Sequence, residues 1–223
     1  MNWRYWRRIP WIDTRAKFVA YLPERGRLLD LGSSNGQTLR HFAELRPDLA
    51  LAASDLAGSP ENYPVHTEFK RADFESERLP WPDTEFDGIT CMHVVEHLRD
   101  TSNLIAEVAR LLKPGGRIYV ETPHPKSLMT KSAWGKGAGT VTMNFFDDPT
   151  HVRPVSIEEL SDQVTNAGLE VLDRGVSRNL LFSAVYPFYV AARATSRKRF
   201  VAQLHWMGWS AYIVARRQTF PVP

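Results

Sequence analysis

Three things are scarce in this chain: cysteine, long apolar runs and, towards its end, acidic residues. Cys91 is the single cysteine among 223 residues, which excludes an internal disulfide and a four-cysteine zinc site. The longest apolar run, 180–192, spans thirteen residues and contains Ser183 and Pro187, well short of the roughly 20 residues that cross a bilayer. The charged first eight residues are not followed by the apolar run of a secretory signal. We therefore expect a soluble, cytoplasmic protein.

The charge of the chain is unevenly distributed. The net charge is only +3, yet Asp173 is the last acidic residue. The segment after it interleaves basic and aromatic residues, which suits an anionic lipid surface, a nucleic acid or an acidic substrate. The same composition also fits a solvated basic face over an ordinary aromatic core. The basic residues are Arg174, Arg178, Arg193, Arg197, Lys198, Arg199, Arg216 and Arg217, and the aromatic ones include Phe182, Tyr186, Phe188, Tyr189, Phe200, Trp206 and Trp209.

Strands and helices alternate along the chain, and this order predicts an α/β fold with a doubly wound sheet. Continuous apolar runs such as 49–53 and 88–92 are typical of buried parallel strands. Asp13 is placed to cap the first helix, and Ser156 with Glu159 forms a capping box. The length and a hydrophobic content of 43% fit one domain, 1–223. The predicted strands are 27–31, 50–54, 66–72, 86–91, 116–122, 169–175 and 209–216, and the predicted helices are 14–22, 37–45, 101–112 and 156–167.

The stretch 27–37 is the most informative part of the sequence. An apolar strand carries Asp30 and then breaks into a polar turn between Gly32 and Gly36, where a ligand can approach the backbone closely. The apolar spacing that follows predicts a helix. A strand, a glycine turn and a helix open many nucleotide-binding α/β units. Glycine turns also join strands to helices in proteins that bind no ligand there.

Two further acids follow the next predicted strands. Asp55 comes after the second strand, where a carboxylate can accept the hydroxyl protons of a ribose. Asp73 and Phe74 come after the third strand and suit the amino group and the face of an adenine. Each acid alone could be a surface residue or a helix cap, but together they indicate a nucleoside site at one edge of the sheet.

The turn does not have the glycine spacing of a dinucleotide site. That site needs glycines at the first, third and sixth positions so that a helix N-terminus can hold a pyrophosphate. The corresponding residues here are Gly32, Ser34 and Gln37. The turn therefore suits a ligand that carries an amino group and no phosphate.

At this point the sequence resembles the class I S-adenosylmethionine-dependent methyltransferases, particularly the small-molecule methyltransferases similar to the ubiquinone and menaquinone biosynthesis enzymes. The resemblance covers about residues 27 to 122, with weaker support from 151–168. The family usually has glycine where this chain has Ser34. The motifs that carry the resemblance are 28–36, Asp55, Asp73-Phe74, 79–87, Val95-Glu96-His97-Leu98 and 111–116.

The resemblance implies that S-adenosyl-L-methionine is the cofactor and assigns residues to its parts. It also implies a Rossmann-like, seven-stranded mixed sheet with helices on both faces, whose last, antiparallel strand is 209–217. The basic aromatic segment 177–208 then becomes an insertion before that strand. The implied cofactor-binding residues are Asp30, Gly32, Ser34 and Gly36 around the methionine, Asp55 with Leu56 at the ribose, Asp73 and Phe74 at the adenine, and Cys91 and Met92 near the methionine or the departing methyl.

Candidate catalytic residues are histidines, because methyl transfer to a hydroxyl is helped by a base that removes its proton. His124 follows the fifth strand, and His151 ends the long segment 126–154, which we interpret as an active-site cover. His93 is added because the resemblance places it near the methyl group. Each of the first two could instead be structural, and we assign His97 to structure.

We expect no metal. Asp147, Asp148 and His151 lie close in sequence, but one histidine with carboxylates and no identified fourth ligand is weak support for zinc. The leading hypothesis is a methyltransferase that acts on a hydroxyl of a polar metabolite, saccharide or lipid precursor, with the basic aromatic segment at the acceptor pocket or on a membrane surface. The alternatives are an RNA methyltransferase, disfavoured because no RNA-binding module is recognisable, and a noncatalytic protein that binds a partner.

Overall fold

The computed structural model of this chain describes residues 3–132 and 143–219. Seven strands form one mixed sheet in the order β3-β2-β1-β4-β5-β7-β6. The pairs among the first five strands are parallel, and β7 runs antiparallel to both β5 and β6. The strands are β1 Arg27–Leu31, β2 Ala50–Asp55, β3 Glu68–Arg71, β4 Phe86–Met92, β5 Leu112–Pro123, β6 Leu169–Ser177 and β7 Ser210–Arg217. This confirms the predicted Rossmann-like, doubly wound sheet with an antiparallel last strand.

The α-helices of the described residues are α1 Thr14–Ala20, α2 Gln37–Leu45, α3 Ser102–Leu111, α4 Ile157–Asn166, α5 Leu180–Ala191 and α6 Ser196–Met207. The two predicted caps are present: Asp13 accepts from the backbone N–H of Arg15 and Ala16, and Ser156 Oγ accepts from the N–H of Glu159. The expected insertion 177–208 consists largely of α5 and α6, two helices that the sequence patterns did not predict.

Each face of the sheet is covered by a hydrophobic cluster. In β1 the side chain of Leu28 belongs to one cluster, whereas those of Leu29 and Leu31 belong to the other, as the two-residue period of a strand requires. Helices α1 and α2 contribute to the cluster around Leu28, and α3 and α4 contribute to the opposite one. This packing fixes the strand ends that carry the candidate site.

The segment expected to cover the active site is described in part. It contains the short 3-10 helices Pro125–Met129 and Phe145–Asp147, while residues 133–142 of the expected cover lie outside the described residues. Across the described residues, none of the helices combines the length and the apolar character that a membrane crossing requires.

Candidate active site

The turn after β1 depends on backbone conformations that favour glycine. Gly32, Ser34 and Gly36 have φ angles of 73°, 45° and 70°, all in the left-handed region. A Cβ on Gly32 would lie 2.1 Å from Cγ2 of Val94. The N–H of Gly32 donates to the carbonyl of Ser54 over 2.9 Å. The turn is therefore held tightly between β2 and the segment after β4.

Asp55 joins the end of β2 to this turn. Its Oδ2 accepts a 2.8 Å hydrogen bond from the N–H of Ser34, and its Oδ1 accepts one of the same length from the N–H of Ala57. Leu56, the next residue, has 54% of its surface exposed. The structure thus brings Asp55 and the glycine turn together, as the sequence predicted from their positions at neighbouring strand ends.

Asp30 is a buried acid next to the same turn. Its side chain is only 2% exposed, and its Oδ1 accepts a 2.6 Å hydrogen bond from Thr90 Oγ1. Burial raises the pKa of Asp30 to about 7, with a further contribution from the negative charge of Asp55, against the opposing effect of the Thr90 hydrogen bond. Asp30 therefore keeps its proton to a higher pH than an exposed aspartate does.

The remaining predicted cofactor residues lie at the ends of β3 and β4. The carboxylate of Asp73 accepts hydrogen bonds from the N–H of Glu75 and the hydroxyl of Ser76. Phe74, only 7% exposed, and Cys91 are both packed in the hydrophobic core. Burial raises the pKa of the Cys91 thiol far above its usual range. Met92 is half-buried and faces a cavity.

A cavity of about 590 Å³ runs from the glycine turn towards the two C-terminal helices. Its size lies in the range typical of small-molecule sites. It is lined by the turn and the start of α2, by polar groups of β5 and β6, and by residues of α5, α6 and β7. The residues that line it include Arg15, Gly32, Ser34, His41, Met92, His93, Glu121, Ser177, Phe182, Leu204, His205, Trp209 and Ser210.

His93 lines this cavity and lies between two carboxylates. Its Nδ1 donates to Glu96 over 3.0 Å, and its Nε2 lies 3.4 Å from Glu121 Oε1 and 3.3 Å from Ser210 Oγ. Burial opposes the charge on the ring, but the hydrogen bonds with Glu121 and Glu96 prevail and raise the pKa of His93 to about 10. Its ring also packs against Trp209 at 5.3 Å between centroids.

Glu121 is the functional candidate that the sequence reasoning missed. It is buried on β5, where it accepts hydrogen bonds from the hydroxyls of Tyr119 (2.6 Å) and Ser177 (2.8 Å). Burial works against its ionised form, but His93 and Arg15 hold the pKa of Glu121 well below its usual range. The signal was present, since an acid inside the apolar run of a predicted central strand needs buried partners.

The other two candidate histidines do not line this cavity. His124 accepts a hydrogen bond at Nδ1 from the N–H of Lys126 and lines a separate cavity of about 360 Å³. Burial lowers the pKa of His124. His151 donates from Nδ1 to the carbonyl of Phe145 over 2.7 Å and packs against the ring of His97. Their catalytic roles stay predictions.

The model of the family described as "Methyltransferase domain" matches residues 3–174. The chain belongs to this methyltransferase family. Together with the mixed seven-stranded sheet, this membership makes it a class I methyltransferase that uses S-adenosylmethionine.

Two curated relatives show how far the similarity of this methyltransferase extends. It is 30% identical over 180 residues to a ubiquinone biosynthesis O-methyltransferase of Marinobacter nauticus, an alignment that covers 74% of this chain and 70% of the relative. It is also 30% identical over 164 residues to the biotin biosynthesis bifunctional protein BioHC of Cellvibrio japonicus, covering 70% of this chain but 31% of that protein. This methyltransferase thus spans less than a third of BioHC.

The fold of this methyltransferase is shared with solved structures. One is a chain of the complex between the Haloferax volcanii Trm112 methyltransferase activator and a methyltransferase, with a TM-score of 0.65, 18% identity and coverage of 97% of both chains. At this identity the likeness shows the fold alone.

Proposed function

We propose that this methyltransferase transfers a methyl group to a hydroxyl of a small-molecule acceptor bound in the 590 Å³ cavity. The observation that carries the proposal is the continuity of this cavity, which joins the glycine turn to the polar wall of His93, Glu121 and Ser177. A site of this size fits a cofactor end and a compact acceptor better than a polymer. The Marinobacter relative is named as an O-methyltransferase of ubiquinone biosynthesis, which supports oxygen as the target.

The residues around the turn fit the cofactor. S-adenosylmethionine supplies an activated methyl on a sulfonium and carries an ammonium group and a ribose. Asp55 would accept the ribose hydroxyls, for which its carboxylate lies beside the turn, and Asp30 would face the ammonium with its negative charge. Asp73 and Phe74 stay proposed adenine contacts, although the burial of Phe74 leaves little more than a ring edge for the base.

His93 and Glu121 would position the acceptor. Both ring nitrogens of His93 already contact polar groups, so we assign His93 an orienting role rather than that of a base. The acceptor hydroxyl would donate to the Glu121 carboxylate, which would take its proton as the bond from oxygen to the methyl forms. The same oxygen would accept from His93 Nε2, which makes only the longer contacts described above. Holding an oxygen in line with an activated methyl can by itself contribute several kcal/mol.

The test is incubation of the purified chain with deuterated-methyl S-adenosylmethionine and a whole cell extract, followed by mass spectrometry of the small-molecule and RNA fractions. The proposal expects a labelled product whose methyl is on oxygen, strongly reduced by His93→Gln and retained by His66→Asn, a histidine outside the cavity. Label found in RNA would favour the RNA methyltransferase alternative. Absence of S-adenosylmethionine binding by calorimetry would favour the noncatalytic one.

We also propose that the helical pair α5 and α6 rests on an anionic lipid surface. In α5 not one of its twelve residues is buried, and Leu180, Leu181 and Phe188 are exposed. The segment 180–207 carries four exposed basic residues, Arg193, Arg197, Lys198 and Arg199, and no acidic residue, so its charge complements anionic lipid rather than a second copy of the same basic surface. Phe182 and Leu204 of the same helices line the cavity, which would give a lipid-borne acceptor a short path to it.

Flotation with vesicles tests this contact. The chain should float with vesicles that contain phosphatidylglycerol and float less with pure phosphatidylcholine. Leu181→Asp and Phe188→Asp should reduce flotation, whereas Val65→Asp, at an exposed apolar residue outside α5 and α6, should not. Equal flotation of all variants would overturn the proposal, and retention on RNA at moderate salt without flotation would assign the basic segment to nucleic acid.

A further inference from the structure

Two histidines and a glutamate converge outside the cavity. One ligand atom each of Glu96, His97 and His151 lies within 4.8 Å of the other two. Glu96 and His97 belong to the 3-10 helix Val95–His97 that follows β4, while His151 comes from the segment before α4. The backbone joins the two parts, because the N–H of Val152 donates to the carbonyl of Glu96 over 2.9 Å.

Both imidazoles are held in the tautomer that binds metal ions. His151 Nδ1 lies 2.7 Å from the carbonyl oxygen of Phe145, and His97 Nδ1 lies 3.1 Å from the carbonyl oxygen of Thr150. A carbonyl can only accept, and the Thr150 hydroxyl, also 3.1 Å from His97 Nδ1, donates its own hydrogen to Asp148. Each Nδ1 therefore carries the hydrogen and each Nε2 keeps its lone pair. Metal-ligating histidines typically donate their other ring N–H in this way.

The carboxylate of Glu96 completes a three-ligand set. Glu96 is fully buried, and its two oxygens accept from His93 Nδ1 (3.0 Å) and Thr122 Oγ1 (3.3 Å). Asp148 Oδ2 lies 3.8 Å from His151 Nε2 and is within reach as a fourth ligand. Two imidazoles with one or two carboxylates are a ligand set for a divalent transition metal such as Zn²⁺.

We infer that Glu96, His97 and His151, with Asp148 as the available fourth ligand, form a divalent metal site that fastens the segment before α4 to the end of β4. The ligands of one Zn²⁺ lie about 2.0–2.1 Å from the ion, so the rings would move inward on binding. Through the bond between Glu96 and His93, the ion would also steady the cavity wall. Asp148 and His151 were considered for a metal from their spacing alone, but Glu96 and His97 lie far earlier along the chain, so the full set emerges only from the fold.

Metal titration of the untagged full-length chain, stripped with a chelator, tests the inference. Co²⁺ should produce a visible d–d absorption band that saturates at one equivalent, and Zn²⁺ should displace it and raise the Tm. His97→Ala and His151→Ala should each weaken binding by at least tenfold, with His97→Gln and His151→Gln as fallbacks should the alanine variants fail to fold. His66→Asn, outside the cluster, should bind as the unchanged chain does.

The readout is independent of methyl transfer, so it separates this inference from the proposed function. The metal site would be overturned if the chain showed no saturable band. It would also be overturned if a His97→Ala/His151→Ala double variant bound Co²⁺ as tightly as the unchanged chain. Neither result bears on the methyltransferase activity, which has its own assay.

Discussion

The backbone N–H of Ser34 lies 2.8 Å from Oδ2 of Asp55 and donates to it, so one carboxylate holds the turn after β1 against the end of β2. This bond spans two strand ends that the parallel sheet places side by side, since Leu31 pairs with Ser54. The Asp55 carboxylate shapes the turn and is also the proposed contact of the ribose. We therefore expect cofactor binding and the conformation of the turn to be coupled.

Asp55→Asn should weaken S-adenosylmethionine binding without unfolding the chain. The amide oxygen can still accept from Ser34, but the amide nitrogen cannot accept from the N–H of Ala57, and the charge that would hold the ribose hydroxyls is lost. Hydrogen bonds to charged groups contribute about 1.5–3 kcal/mol, so the Kd measured by calorimetry should rise by roughly 10-fold to 150-fold. Asp83→Asn, an exposed acid paired with Arg110 and Arg78, is the control and should leave the Kd unchanged. Equal affinity of both variants would remove Asp55 from the cofactor site.

Ser34→Gly should stabilise the chain. Ser34 has a φ of 45°, and a side-chain-bearing residue in this region is strained by about 1–2 kcal/mol relative to glycine, part of which the greater freedom of glycine in the unfolded chain offsets. The variant keeps the N–H that bonds to Asp55. We expect a net gain of roughly 0.5–1 kcal/mol in the free energy of unfolding, measured with urea. Asn35→Gly in the same turn should destabilise, because Asn35 has no positive φ and accepts from the N–H of Gln37.

Gly32→Ala should be strongly destabilising, and the loss should depend on Val94. The new Cβ would lie 2.1 Å from Val94 Cγ2 at a φ of 73°, so strain of about 1 kcal/mol adds to overpacking of about 1–3 kcal/mol. Val94→Ala removes the clashing methyl, and the double variant should recover most of the overpacking. Urea unfolding of all four members of the cycle measures this coupling. Additive losses would show that the clash is relieved by backbone movement instead.

Much of this fold could be predicted because its signals are local. The apolar runs of β1, β2 and β4, the cap at Ser156 and the turn at Gly32 each depend on neighbouring residues. Helices α5 and α6 escaped prediction because α5 is apolar on every side and contains Pro187, so it lacks the one-sided pattern that marks a surface helix.

The site was harder to predict than the fold, because distant segments form it. Glu121 became a candidate only when the fold placed it beside His93, from the segment after β4, and Ser177, from β6. His97 bonds to the backbone of Thr150, and its assignment to structure stays a prediction. Its approach to His151 follows from the backbone bond between Val152 and Glu96, which no sequence spacing reveals.

Asp30 should make the stability of the chain depend on pH. Its pKa is about 7 in the folded chain, against 3.8 when exposed, so between these values the folded state holds a proton that the unfolded state has released. The free energy of unfolding therefore falls as pH rises from about 4 to about 7, and the loss is roughly 4 kcal/mol at most. Below pH 4 the contribution is fully present.

Asp30→Asn isolates this contribution, because the amide accepts from Thr90 but does not titrate. The variant should equal the unchanged chain in stability near pH 4 and exceed it at pH 8, as measured by urea unfolding across this range. If Asp30 faces the ammonium of S-adenosylmethionine, binding at pH 6 should release a proton in the unchanged chain and none in the variant. Calorimetry in buffers of different ionisation enthalpy measures that release. Parallel pH profiles for the two proteins would show that Asp30 ionises in the folded chain as readily as an exposed acid.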